Sequence, residues 1–117
     1  MKFLVTTLLS IGLHLALGWE WTVLAGAVGG IWSPRYLRGS FIGGAGTALG
    51  WAVLVIYTAA VTPSSLRLLV NTLGDLAGNI PGEVVVGSTV LLGGVLGGLG
   101  GAIGATLAPL FAQIYPD

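Results

Sequence analysis

The feature that most constrains this chain is its last hydrophobic run, Val84 to Leu110, with Gly93-Gly94-Val95-Leu96-Gly97-Gly98-Leu99-Gly100-Gly101 inside it. The run carries no charge and exceeds the roughly 20 residues that a helix needs to cross a bilayer. Glycine at this density costs a water-exposed helix about 1 kcal/mol per residue relative to alanine. In lipid no water competes for the backbone, so the helix persists. Taken every fourth residue, Gly93, Gly97, Gly101 and Ala105 share one face, with Gly94, Gly98 and Ala102 beside them. Such a small-xxx-small stripe lets a second helix approach backbone to backbone.

Composition agrees with that reading. Of 117 residues 55% are hydrophobic and 7% charged, with zero net charge, far from the quarter-charged composition of a soluble domain. No basic excess exists for nucleic acid, so none is expected as a partner. Without cysteine there is no disulfide or thiolate metal site. One His and four carboxylate side chains leave little material for a metal site or an acid–base pair.

Met1-Lys2 followed by Phe3 to Leu17 resembles a signal peptide, with Ala16-Leu17-Gly18 as a cleavage candidate. We read it instead as a retained first membrane segment, residues 3–18. The Trp19-Glu20-Trp21 cluster fits an interfacial belt, with two indoles around a carboxylate. A hairpin turning at Gly18–Trp21 places Lys2, Arg35 and Arg38 on one side, as the positive-inside rule prefers, whereas one long helix would separate them. The second arm, residues 21–32, carries Gly26 and Gly30 in close-packing register.

Pro34 stops that arm, and the Ser33–Gly39 loop presents Arg35, Tyr36 and Arg38 as a headgroup or partner contact. A third segment, residues 40–61, holds two small faces, Gly39/Gly43/Thr47 with Ser40/Gly44/Ala48, and Gly46/Gly50. Thr62-Pro63 is a helix start with a hydroxyl cap. Over residues 63–78, Leu66, Leu69, Val70, Leu73, Leu76 and Ala77 oppose Arg67, Asn71 and Asp75, which predicts an amphipathic helix lying in the membrane interface. Gly78-Asn79 ends it and Pro81-Gly82 turns the chain into the last segment, residues 84–110, with Glu83 in its first turn. Pro109 and the tail to Asp117 close the chain on the cytoplasmic side.

The expected fold is an all-α integral membrane protein. It has four hydrophobic helices, the first two a short hairpin, plus one interfacial helix, in a single domain. The residues expected at helix contacts are Gly26, Gly30, Gly43, Gly50, Gly93, Gly97 and Gly101.

At Trp32-Ser33-Pro34-Arg35, Ser40-Phe41-Ile42-Gly43-Gly44, Trp51, Tyr57 and Gly93-Gly94-Val95-Leu96-Gly97-Gly98, the chain resembles a group of small membrane proteins of Bacteroidetes and related bacteria. The resemblance implies a four-segment protein of the bacterial inner membrane and no activity, so it assigns no functional residue. In size and glycine content the chain is also similar to the small dimeric fluoride channels. Their polar and aromatic pore motifs do not line up here, since Val70-Asn71 falls in the amphipathic segment.

His14 is the one ionisable side chain inside a proposed span, and so the candidate cofactor-binding residue, as a proton relay or an axial ligand to a pigment or haem. The competing reading is a neutral imidazole bonded to a neighbouring carbonyl or hydroxyl. No second His, Cys or Met completes an axial pair, and no cofactor is expected. Ser10 lies one turn from His14, but a serine in a membrane helix usually bonds back to its own backbone, so no nucleophile is expected and no enzyme. Two readings remain. One is a structural or accessory subunit packing with itself or a larger membrane complex. The other is an oligomer that conducts a small solute. The scarcity of polar side chains within the spans favours the first. The expected site is the bacterial inner membrane, multi-pass, with both termini and the arginine loop cytoplasmic.

Overall fold

The computed structural model describes residues 1–33 and 35–114. All of its regular structure is helical: α1 (Lys2–Leu17), a short 3-10 turn (Trp19–Trp21), α2 (Thr22–Ile31), α3 (Tyr36–Val61), α4 (Pro63–Leu76) and α5 (Gly82–Ile114). Two of these helices, α3 with 26 residues and α5 with 33, are long and apolar enough to cross a membrane. The roles assigned above to Pro34 and to the tail through Asp117 lie outside the described residues.

Helix α1 ends where Gly18 takes φ 108°, a conformation that side-chain-bearing residues rarely adopt. A Cβ there would also sit 2.8 Å from Glu20 Oε2. The chain then reverses through the Trp19–Trp21 turn, and α2 returns antiparallel to α1. The hairpin is tied at its open end, where Lys2 Nζ donates to Trp32 O at 2.6 Å. That ammonium sits on the C-cap carbonyl of α2, at the negative end of the helix dipole.

Two boundaries and one cap differ most from expectation. Helix α3 starts at Tyr36 rather than Ser40, because Gly39 is helical and packs tightly on α5 instead of breaking the chain. Helix α5 continues through Pro109 to Ile114. The proline forfeits one backbone bond, which a long helix tolerates on an exposed turn. Thr62 does not cap α4: its hydroxyl donates back to Thr58 O at 3.2 Å, and α4 starts on Pro63 alone.

Helix α4 ends at Leu76, and Gly78 (φ 102°) and Asn79 (φ 67°) turn the chain so that Ile80 N–H donates to Gly74 O at 2.9 Å. Leu66, Val70 and Gly74 face the start of α5, with Gly82 packed against Val70. Leu68, Leu69, Leu73 and Leu76 remain exposed.

The core is built on α3 and α5, which run antiparallel. Helix α2 lies across their seam and α1 packs on α2 and α3. Trp51 marks the height of the hairpin tip, since its Nε1–H donates to Thr22 Oγ1 at 3.1 Å at the first residue of α2. Helix α3 runs on ten residues past Trp51, and α5 begins eleven residues before Gly93, which touches the Trp51 indole. The hairpin therefore flanks one half of the α3–α5 pair. In the other half no residue of α3 from Ala52 to Val61, nor of α5 from Gly82 to Leu92, is buried.

Candidate functional site

The glycines expected at helix contacts meet in two layers where α2, α3 and α5 converge. In the first layer are Gly26, Gly43 and Gly97. The place a Cβ would occupy on Gly26 lies 2.7 Å from Gly97 Cα, and that of Gly43 lies 3.1 Å from Gly26 O. The second layer, one turn on, is Gly30, Gly39 and Gly101, with the Cβ position of Gly30 2.8 Å from Gly101 Cα and that of Gly39 3.3 Å from Gly30 Cα. Three backbones at this separation leave no room for any side chain. Gly50 faces Ser10 of α1, its Cβ position 3.1 Å from Ser10 Oγ, and Gly93 is covered by the Trp51 ring. All seven glycines are thus buried within a single chain.

Hydroxyls fill hollows beside these layers. Thr47, fully buried, donates to Gly43 O at 2.8 Å and lies 2.9 Å from Gly93 O, joining α3 to α5. Thr7 lies 3.0 Å from Phe3 O and 3.1 Å from Gly46 O, joining α1 to α3. Thr6 donates to Lys2 O at 3.0 Å, and its side chain occupies the hollows at Gly29 and Gly46. Sequence reasoning missed the packing part played by Lys2, Thr6 and Thr22, and placed Thr47 on a small face without its bond to α5. The signal was present: Lys2, Thr6, Ser10 and His14 recur every four residues, a polar stripe down one face of α1.

Two expectations about α1 are corrected. Ser10 Oγ does not bond back to the backbone: it is fully buried and has no hydrogen-bond partner. The Nδ1 of His14 is likewise buried without a partner, so the expected bond to a carbonyl or hydroxyl is not made at that nitrogen. The His14 ring stands edge-on to Trp51, centroids 5.2 Å apart and planes at 73°. Among the described residues no three His, Asp or Glu side chains converge as a metal site would require.

Charge is segregated. Lys2, Arg35 and Arg38 gather at the open end of the hairpin, where α3 begins. Glu20 lies at the hairpin tip, and Arg67, Asp75 and Glu83 lie around α4. Arg35, Tyr36 and Arg38 are exposed and, with Leu37, surround a hollow. Leu37 also opens a longer apolar groove of about 780 Å³ along the α3–α5 seam, floored by Gly44, Ala48, Gly94 and Gly98 and edged by Phe41. The second small-residue stripe of α5 faces this groove rather than the glycine layers.

The chain matches no protein-family model, and it has no match among the curated proteins or the solved structures. The functional reading rests on the residues and geometry above.

Proposed function

We propose that this chain is a small integral membrane protein with a structural or accessory role and no catalytic one. The observation that carries the reading is an inversion of burial. Among the described residues, the buried side chains are Ala25, Trp51 and Ala105 with the hydroxyls of Thr6, Thr7, Ser10, Thr22, Ser33 and Thr47. The large aliphatic and aromatic residues lie outside, among them Leu8, Phe41, Ile56, Leu91 and Ile114. Water would oppose that distribution, since burying apolar area drives folding there. Lipid favours it, because helices in hydrocarbon associate through small residues and hydroxyl bonds.

In this reading α3 and α5 cross the bilayer of a bacterial inner membrane, and the α1–α2 hairpin enters beside them from the arginine-bearing side. That side is the cytoplasm by the positive-inside rule, with both termini on it. Exposed Leu69 and Leu73 hold α4 at the opposite interface. The glycine layers hold the protomer itself together, so a second copy or a larger membrane complex would pack elsewhere. The half of α3–α5 that the hairpin leaves uncovered is the surface for it, with Ile56 and Val84 among its exposed residues.

The alternative, solute conduction, needs a continuous polar path. Thr6, Thr7 and Thr47 instead commit their hydroxyls to backbone carbonyls, which supports the structural role.

The test uses the absence of native cysteine. Membranes carrying Ile56→Cys or Val84→Cys are expected to give oxidised cross-links, to another copy or to a larger protein, and Leu8→Cys on the hairpin is not. Equal cross-linking at all three positions would count against the assigned surface. Release of the parent from membranes by alkaline carbonate would remove the membrane reading altogether.

A further inference from the structure

We propose that the groove on the outer side of the α3–α5 seam is a binding site for one anionic phospholipid, its phosphate on Arg35 and Arg38 and an acyl chain along the glycines above. The inference rests on the membrane reading and adds to it a specific ligand.

Three observations converge. The first is adjacency: Leu37 lines both the arginine hollow and the apolar groove, so the two meet at that residue. The second is charge. Arg35 and Arg38 are exposed, and the carboxylates Glu20, Asp75 and Glu83 lie at the hairpin tip and around α4, so no described carboxylate neutralises this end. Lys2 is already engaged with Trp32 O and adds to the local positive field. A guanidinium fork is suited to a phosphate, which it can hold by two parallel hydrogen bonds.

The third is length. From Leu37 to Ala48 the α3 wall of the groove rises about 17 Å, and one leaflet contributes about half of a 30 Å hydrocarbon core. The groove therefore starts where a headgroup lies and ends near where its acyl chain does. Gly44, Gly94 and Gly98 keep its floor flat enough for a chain to lie against, and Phe41, largely exposed, forms a rim.

The experiment is native mass spectrometry of the full chain released from micelles. Phosphatidylglycerol and phosphatidylcholine with identical oleoyl chains are offered together. The parent is expected to retain phosphatidylglycerol at least tenfold better, since two arginines each contribute about fivefold toward an anionic lipid. Arg35→Gln/Arg38→Gln is expected to bring the ratio near one, while Arg67→Gln, at the other end of the molecule, leaves it unchanged. Ala45→Phe, which fills the groove without altering charge, is expected to lower phosphatidylglycerol retention, and added inorganic phosphate is not expected to displace the lipid.

Equal retention of the two lipids by the parent would overturn the proposal. So would an undiminished ratio in the double variant, or displacement by phosphate alone. Lipid-independent disulfide formation between two Ala45→Cys copies would also overturn it, by giving the groove to a second protomer. Failure of the membrane reading shows differently, as extraction of the parent by alkaline carbonate. A protein that stays in the membrane without lipid preference refutes only the lipid site.

Discussion

Gly97 is the residue at which the packing makes its sharpest demand. A Cβ placed on it would overlap Thr47, whose own Cβ and Cγ2 would both lie 2.6 Å away. Thr47 has no room to retreat: it is fully buried and its hydroxyl is 2.9 Å from Gly93 O. Gly97→Ala must therefore separate α3 from α5 or rotate Thr47. Overpacking of this kind costs about 1–3 kcal/mol, and loss of the interhelical hydrogen bond adds about 1 kcal/mol. The expected destabilisation is about 2–4 kcal/mol in all. It is measured by reversible unfolding in mixed micelles with increasing dodecyl sulfate.

The control is Gly12→Ala, where nothing lies within 4 Å of the new Cβ, and it is expected to match the parent. The sharper test moves the missing side chain to the other helix. Thr47→Gly together with Gly97→Ala relieves the overlap, so the pair is expected to be less destabilised than the sum of the single variants by at least about 1 kcal/mol. If Gly97→Ala unfolds like Gly12→Ala, or if the two changes simply add, Thr47 does not lie on Gly97 and the α3–α5 register derived above is wrong.

Two further outcomes follow from individual contacts. Trp51→Phe removes the Nε1–H donor to Thr22 and is expected to cost about 1–2 kcal/mol in the same assay. Backbone amide exchange should also rise at Thr22 and Val23 if the indole pins the start of α2. Ser10→Ala is expected to be neutral or stabilising, because it deletes a buried hydroxyl without a partner. A loss above about 1 kcal/mol there would mean that Ser10 holds a bond worth a typical native hydrogen bond.

Much of the fold was legible because glycine and charge leave few alternatives. The hairpin followed from placing Lys2, Arg35 and Arg38 on one side, and the turn fell at Gly18, where the backbone needs positive φ. Helix α4 was readable from its two-sided pattern and from Pro63.

What the pattern could not supply was which stripe meets which neighbour. Gly93/Gly97/Gly101 and Gly94/Gly98 sit on one helix with the same spacing, yet the first is inside the protomer and the second faces a groove. Spacing gives a face, and only the three-helix convergence at Gly26 and Gly30 selects it. Gly39 reads both as the end of a loop and as the first member of a small face; the second holds, and it lets α3 touch α5 one turn earlier. The polar stripe Lys2, Thr6, Ser10 and His14 was regular enough to read. Read singly, Lys2 gives topology and Ser10 and His14 suggest chemistry; only the four-residue repeat shows a packing face.

The membrane reading depends above all on α3 crossing a bilayer. Reporter fusions placed after Arg38 and after Gly78 measure it directly, since the two positions bracket α3 and α4. Opposite sides are expected, cytoplasmic after Arg38 and external after Gly78. The same side at both positions would contradict it.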